Sequence, residues 1–146
     1  MASFYAMDIS ASGLSSERMR AEVIASNLAN ASSTRSSRGG PYRRLLTVLS
    51  ANEERWQPSR SVHGRARFAG IGVSVLGIVE DSSPLPMRYD PSHPDADAEG
   101  YVTMPNVDPA MEMVDLITAS RAYEANVTAL NAAKQMAMKA LDIGRA

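Results

Sequence analysis

The side chains best equipped for chemistry gather in one short run. Asp90, His93, Asp95, Asp97 and Glu99 place four carboxylates and an imidazole close together. Closely spaced oxygens suit a hard cation, and an imidazole beside them suits a transition metal. The spacing is not that of an EF-hand, because the loop glycine and the distal glutamate are out of register. Asp and Pro are also common turn formers. Pro91 and Pro94 lie in the same run, so a polar turn is the plainer reading. His63 sits in a polar stretch beside Gly64 and Arg65, as a solvated loop histidine would. No G-x-S-x-G occurs, and two isolated histidines give no triad signal. Gly70-x-Gly72 is not followed by a helical pattern, so it is no dinucleotide loop. The absence of cysteine excludes disulfides, thiolate metal sites and cysteine nucleophiles. Sequence reasoning therefore assigns no catalytic residue, no cofactor and no metal. A metal-dependent enzyme built on Asp90, His93, Asp95 and Asp97 is the reading set aside.

Charge narrows the classes further. The net charge is -1 over 146 residues, so nothing draws the whole chain to nucleic acid or to a membrane. No run of 18 apolar residues is present, so no segment is expected to span a bilayer. Met1 to Asp8 has neither a basic region nor a continuous apolar one, so no ordinary secretory signal is expected. Locally the balance is uneven. Ser33 to Arg67 holds eight Arg against two Glu, and Glu80 to Asp115 holds nine acidic residues against Arg88 alone. Two such regions could meet head to tail between copies, or be solvated loops. The arginines are barely interleaved with aromatics, which argues against nucleic-acid binding.

The elements that must position these residues are mostly helical. From Pro109 to Ala146 no Pro or Gly interrupts Ala110 to Ile143. Steps of three and four mark Met113, Leu116, Tyr123, Val127, Leu130 and Leu141, the pattern of a long helix with one apolar face. Asp108 can cap its start, Pro109 suits the first position, and Gly144 suits the stop. At about 1.5 Å per residue such a helix runs roughly 50 Å, longer than any core this chain could build. The same stepping near the start gives Phe4, Met7, Leu14 and Leu28, so Ser3 to Ala31 reads as a second amphipathic helix. Gly13 weakens it by about 1 kcal/mol relative to Ala. With 45% hydrophobic residues, few aromatics and nine Met, the composition suits helix-on-helix packing.

Between the helices, Ala31 to Gly40 is a Ser-, Gly- and Arg-rich linker. Tyr42 to Leu49 and Ile71 to Val79 read as strands, and Gly100 to Pro105 as a short extended piece. Asn52 to Arg67, with Trp56, reads as loop. Glu80 to Pro94 carries Pro84, Pro86, Pro91 and Pro94 and reads as a turn-rich segment. The expectation is an α+β chain. Residues 1–31 form an N-terminal helical arm, 32–108 a small β-rich insert, and 109–146 a long helix packed on the first arm as a coiled-coil-like pair.

The motifs then become recognisable. Ile24-Ala-Ser-Asn-Leu-Ala-Asn-Ala31 resembles the signature of the flagellar rod, hook and hook-associated axial proteins. Tyr89-Asp-Pro-Ser-His-Pro-Asp-Ala-Asp97, with Gly100-Tyr-Val-Thr-Met-Pro-Asn-Val107, is similar to the proximal rod subunits of that family. So is Glu112-Met-Val-Asp-Leu-Ile117 running on into Ser120-Arg-Ala-Tyr-Glu-Ala-Asn-Val127 and Asn131-Ala-Ala-Lys-Gln-Met136. The resemblance spans the chain. It implies a structural subunit of the bacterial flagellar basal body, exported by the flagellum's own type III apparatus without a cleavable signal. It implies assembly in the periplasm into a helical shaft that carries motor torque to the hook. The partners it implies are other copies of the chain, the rod proteins FlgB, FlgF and FlgG, and the adaptor FliE.

Physical reasoning points the same way. A head-to-tail contact that does not close on itself generates a helical filament. Arms with uncovered apolar faces are expected to order only on assembly. In this reading Phe4, Met7, Leu14 and Leu28 line one seam, and Met113, Leu116, Tyr123, Val127, Leu130 and Leu141 the other. Asn27, Asn30 and Asn126 are candidates for helix-to-helix hydrogen bonds, since an amide both donates and accepts. The competing reading is a soluble helical adaptor or chaperone that binds a partner helix without forming a filament.

Overall fold

The computed structural model describes residues 2–37, 39–52 and 72–144, with side chains from Tyr5 onward. The side chain of Phe4, and Trp56 and His63 in the stretch 53–71, lie outside the described residues. The elements in chain order are α1 (Ala2–Ala29), β1 (Leu45–Ala51), β2 (Val73–Glu80), β3 (Met87–Tyr89), β4 (Tyr101–Thr103) and α2 (Pro109–Ile143). Two long helices therefore flank a small β-rich insert, as the sequence leads one to expect.

Local chemistry sets the ends of α2. Asp108 is extended, and its carboxylate accepts a 2.9 Å hydrogen bond from the Ala110 N–H. Pro109 then opens the helix without wasting a donor. Gly144 closes it in right-handed geometry (φ -76°), donating to Ala140, so the stop does not use the left-handed freedom of glycine.

The two helices run antiparallel in a fixed register. Asn27 bonds Glu112, and fourteen residues back along α1 Gly13 abuts Asn126, fourteen residues on along α2. On that register Ala2 falls opposite Ala137, so α2 runs on past the start of α1 by about two turns. The line facing α1 follows Glu112, Leu116, Ala119, Asn126, Leu130 and Ala133. On α1 it follows Ser10, Gly13, Ser16, Val23, Ile24 and Asn27. Small and polar side chains hold the centre because they let the backbones approach. A Cβ on Gly13 would stand 2.9 Å from the Asn126 Oδ1. Gly13 is thus a packing requirement and not only a weak point of the helix.

β1 and β2 form an antiparallel pair from Leu45 opposite Glu80 to Ala51 opposite Val73. The register shifts after Val48, which leaves Leu76 as the extra residue of a bulge. The pair lies along α1: the Val73 N–H donates to the Ser12 hydroxyl (3.1 Å), and a Cβ on Gly72 would come within 2.7 Å of the same oxygen. β3 and β4 make a second two-stranded ladder, Met87 opposite Thr103 to Tyr89 opposite Tyr101. β3 falls inside the proline-rich run read as turns; three residues are too few to show a period of two. The two tyrosine rings meet edge to face at 5.3 Å. Gly100, at φ +86°, sits where a Cβ would meet the Tyr89 ring at 3.0 Å.

The core is small. The buried apolar residues described are Val23, Ile24, Val102, Val107, Ala119 and Ala133, whereas nineteen large hydrophobic residues stand exposed. Among the described residues, far more large apolar side chains stand exposed than buried.

Candidate functional site

The best-organised polar group sits where the end of α1, the start of α2 and the start of β1 meet. Asn27 is 1% exposed and Glu112 is fully buried. The Asn27 Nδ2 donates to the Leu45 carbonyl (2.9 Å) and to the Glu112 Oε2 (3.0 Å). Its Oδ1 accepts from the Leu45 N–H (2.9 Å) and the Tyr42 hydroxyl (3.0 Å). The amide thus pairs with Leu45 as an added strand residue would, and its four bonds use its full capacity.

Glu112 carries the network on. Its Oε1 accepts from the Arg44 Nε at 2.6 Å, and the Arg44 Nη2 reaches Asp115 at 3.2 Å. The Arg44 N–H donates to the Asn106 side chain (2.8 Å), whose amide donates to the Asp81 carbonyl (3.2 Å). The Asp81 N–H returns to the Arg44 carbonyl (2.8 Å). Burial alone would lower the Arg44 pKa, but the hydrogen bond and charge of Glu112, with Asp115 and Asp81 behind them, raise it. A buried carboxylate needs this pairing, because unpaired it would carry the cost of lost hydration. Each polar group of the arrangement is bonded within the chain. Its role is a clasp that fixes three elements in register.

This clasp is only partly foreseeable. Asn27 makes the expected helix-to-helix hydrogen bond. Asn30 donates to Ser26 and accepts from Ser33, while Asn126 donates to Ala122 of its own helix. Arg44, Asn106, Glu112 and Asp115 were not among the expected site residues. The available signal was the seven-residue spacing of Glu112, Ala119, Asn126 and Ala133, which places a lone carboxylate on the packed line.

The acidic run behaves differently. The Asp90 carboxylate accepts from the Ser92 hydroxyl (2.8 Å) and from Arg88 (3.2 Å), and Asp97 accepts from the N–H groups of Glu99 and Tyr101. His93 uses Nδ1 to accept from the Asp95 N–H (3.1 Å). Asp95 accepts from the Thr34 hydroxyl (2.7 Å) and pairs with Arg35. The Thr34 bond first, then Arg35, holds the Asp95 carboxyl below the usual carboxylate range, and Ser92 does the same for Asp90. Among the described residues no three metal-type side chains converge on a point where an ion could sit.

Among the described residues, three arginines of the basic region are engaged inside the chain. Arg35 pairs with Asp95, Arg44 with Glu112 and Asp115, and Arg43 donates to the Asp81 and Ser83 carbonyls. Chain topology brings residues 34–44 against 81–115 directly.

The remaining expected seam residues divide. Leu14, Leu28, Leu116, Val127 and Leu130 are half-buried, as is Met7. Met113, Tyr123 and Leu141 are exposed. Beyond them α2 carries an outer stripe of Met113, Val114 and Ile117, more than half of the latter two in water. At 100° per residue, Val114 and Ile117 lie on the side away from Glu112.

Comparison with known proteins accords with this arrangement. The family model described as flagella basal body rod protein matches residues 7–35, and the one described as flagellar basal body rod FlgEFG protein C-terminal matches 98–143. These are α1 with its following turn, and β4 with α2. The flagellar basal-body rod protein FlgC of Bacillus subtilis is 47% identical over 99% of this chain and all of its own length. Those of Borreliella burgdorferi and Escherichia coli are 42% and 41% identical, over 98% and 99% of the chain and 98% and 100% of theirs. With both helices matched by the family models and relatives of 41–47% identity covering nearly the whole chain, the chain belongs to the FlgC family of flagellar basal-body rod proteins.

Proposed function

We propose that the chain is a structural subunit of the flagellar basal-body rod, joined to its neighbours through the apolar faces that it cannot cover itself. The observation that carries this reading is the outer stripe of α2. Met113, Val114 and Ile117 stand in water on a helix already packed on its opposite side. A contiguous apolar stripe on a chain with so small a core marks an interaction surface. No catalytic family is indicated by the relatives, and the clasp is a bracing device.

The finer assignment follows the same reading. The subunits stack head to tail into the proximal rod in the periplasm, where the shaft carries torque to the hook. Neighbours are further copies, FlgB, FlgF and FlgG, with FliE at the base, and the subunit arrives through the type III export apparatus. The apolar residues of the two helices divide between pairing within the chain and contact with neighbours. Leu116 and Leu130 serve the first and Leu141 the second, with Met7, Leu14, Leu28 and Val127 on the flank between. Leu130→Asp would disturb folding and assembly together. Val114→Asp with Ile117→Asp isolates assembly: the chain should fold and be exported, and the cells should not swim. Swimming cells with that variant as their only copy would count against the reading.

A further inference from the structure

We propose that the groove between α1 and the β1–β2 pair seats the α2 end of a second copy of the chain, with Lys134 of that copy meeting Glu17. The inference rests on the rod-subunit reading and names one contact within it.

The groove has a volume of about 450 Å³. Its apolar walls are Ile9 of α1, Leu49 of β1 and Val73 of β2, with Ala51 and Glu17 beside them. Glu17 is poorly served there. Its side chain is 15% exposed, and its Oε2 is buried without a hydrogen bond, with the Arg20 guanidinium 3.9 Å away. A carboxylate oxygen shut off from water and left without a donor is costly, and an incoming cation relieves it. The occupant this calls for brings apolar side chains to the walls and a base to the oxygen. The end of α2 carries both. Lys134, Met138 and Leu141 follow at steps of four and three, so they share a face. All three are exposed, and the Lys134 ammonium enters no ion pair or hydrogen bond among the described residues. The start of α2 does not fit. Pro109 to Ser120 holds Glu112 and Asp115 and no base, so it would set like charge beside Glu17. Nor does the end serve its own groove. On the register of the pair Glu17 stands opposite Ala122, and Lys134 lies twelve residues further on, about 18 Å along the axis. That is beyond the reach of a lysine side chain, so the contact runs between copies. It joins two different surfaces, so each copy gives its end and receives another's, and the contact repeats.

Cysteine cross-linking tests this in the assembled structure, since the chain has no cysteine of its own. Cells would carry Ala51→Cys with Met138→Cys in their only copy. Their purified basal bodies, treated with a mild oxidant, should yield a ladder of two, three and more linked chains that a reductant collapses. The two positions do not bond within one chain. Val73, opposite Ala51, meets Ser12, which the register sets opposite Val127, eleven residues short of Met138. A disulfide needs its Cα atoms within about 7 Å. Basal bodies that hold the variant at the wild-type level and give monomer only would overturn the proposal and leave the rod reading standing. A groove filled by a different protein gives that same result. A chain missing from wild-type basal bodies would overturn both. Charge exchange reads the contact through motility. Glu17→Lys and Lys134→Glu should each shrink swimming rings at least about threefold, and the double variant should return them to within about 1.5-fold of the wild type. Single variants that swim as the wild type does, or a double variant no better than the worse single one, would overturn the pairing of Glu17 with Lys134. The ladder is read on chains that keep both charges, so it decides the matter even where Glu17→Lys does not fold.

Discussion

The Asp90–Glu99 turn and the Asn27–Arg44–Glu112 clasp are both clusters of charged and polar side chains, and they could hardly be more different in use. The turn is dense in sequence and dispersed in space. Its carboxylates serve nearby N–H and hydroxyl groups, and Asp95 alone reaches the loop after α1. The clasp is dispersed in sequence and dense in space. Its members come from three elements, and Glu112 is wholly buried. Density along a chain follows from turn chemistry, whereas convergence follows from topology and marks where a fold has committed free energy.

That contrast can be broken, most severely at the clasp. Glu112→Ala leaves Arg44 facing Asp115 alone and should destabilise the chain by about 3 kcal/mol in urea unfolding. A loss no larger than an ordinary surface substitution would show that the clasp is not what fixes the register. Asn27→Ala should cost about 2 kcal/mol, because the Leu45 N–H and carbonyl and the buried Glu112 lose partners. Asp95→Ala should leave the unfolding midpoint near that of the wild type and loosen only the tie to Thr34 and Arg35, which NMR shifts of those residues would report.

Acid sharpens the comparison further. Asp81, Asp90 and Asp95 have folded pKa values below the ordinary value of about 3.9. A depressed carboxylate contributes stability that is complete above the unfolded pKa and is lost as pH falls through the folded one. Between pH 7 and about 5 the turn should therefore hold, and below about pH 4 it should come undone. A pH titration followed by NMR at Thr34 and Ser92, which donate to Asp95 and Asp90, checks the window; loosening already at pH 6 would contradict the assignment.

Most of the architecture was legible because it rests on local signals. Asp108 and Pro109 fix the start of α2, and the lack of Pro or Gly within it fixes its length. The stepping in threes and fours identified Leu116 and Leu130 on the packed line. It marked Met113 and Tyr123 as well, and both stand exposed beside that line. The reason is physical: hydrophobicity marks which faces avoid water, but not which of two apolar faces meets the chain's own partner helix. Here the intramolecular seam takes the small residues Gly13, Ala119 and Ala133 beside Val23, Ile24, Leu116 and Leu130, while Met113, Val114 and Ile117 stay outside. The clasp was hidden because Arg44 and Glu112 are ordinary loop and helix residues until the fold brings them to 2.6 Å.

The central claim is that the outer stripe of α2 is built for neighbours and not for the fold. Its most direct test is the Val114→Asp, Ile117→Asp double variant, with purified basal bodies probed for the subunit and the free protein examined by circular dichroism. The account predicts an unchanged spectrum and no variant in the basal bodies. A variant with an unchanged spectrum that is found in basal bodies at the wild-type level would contradict it.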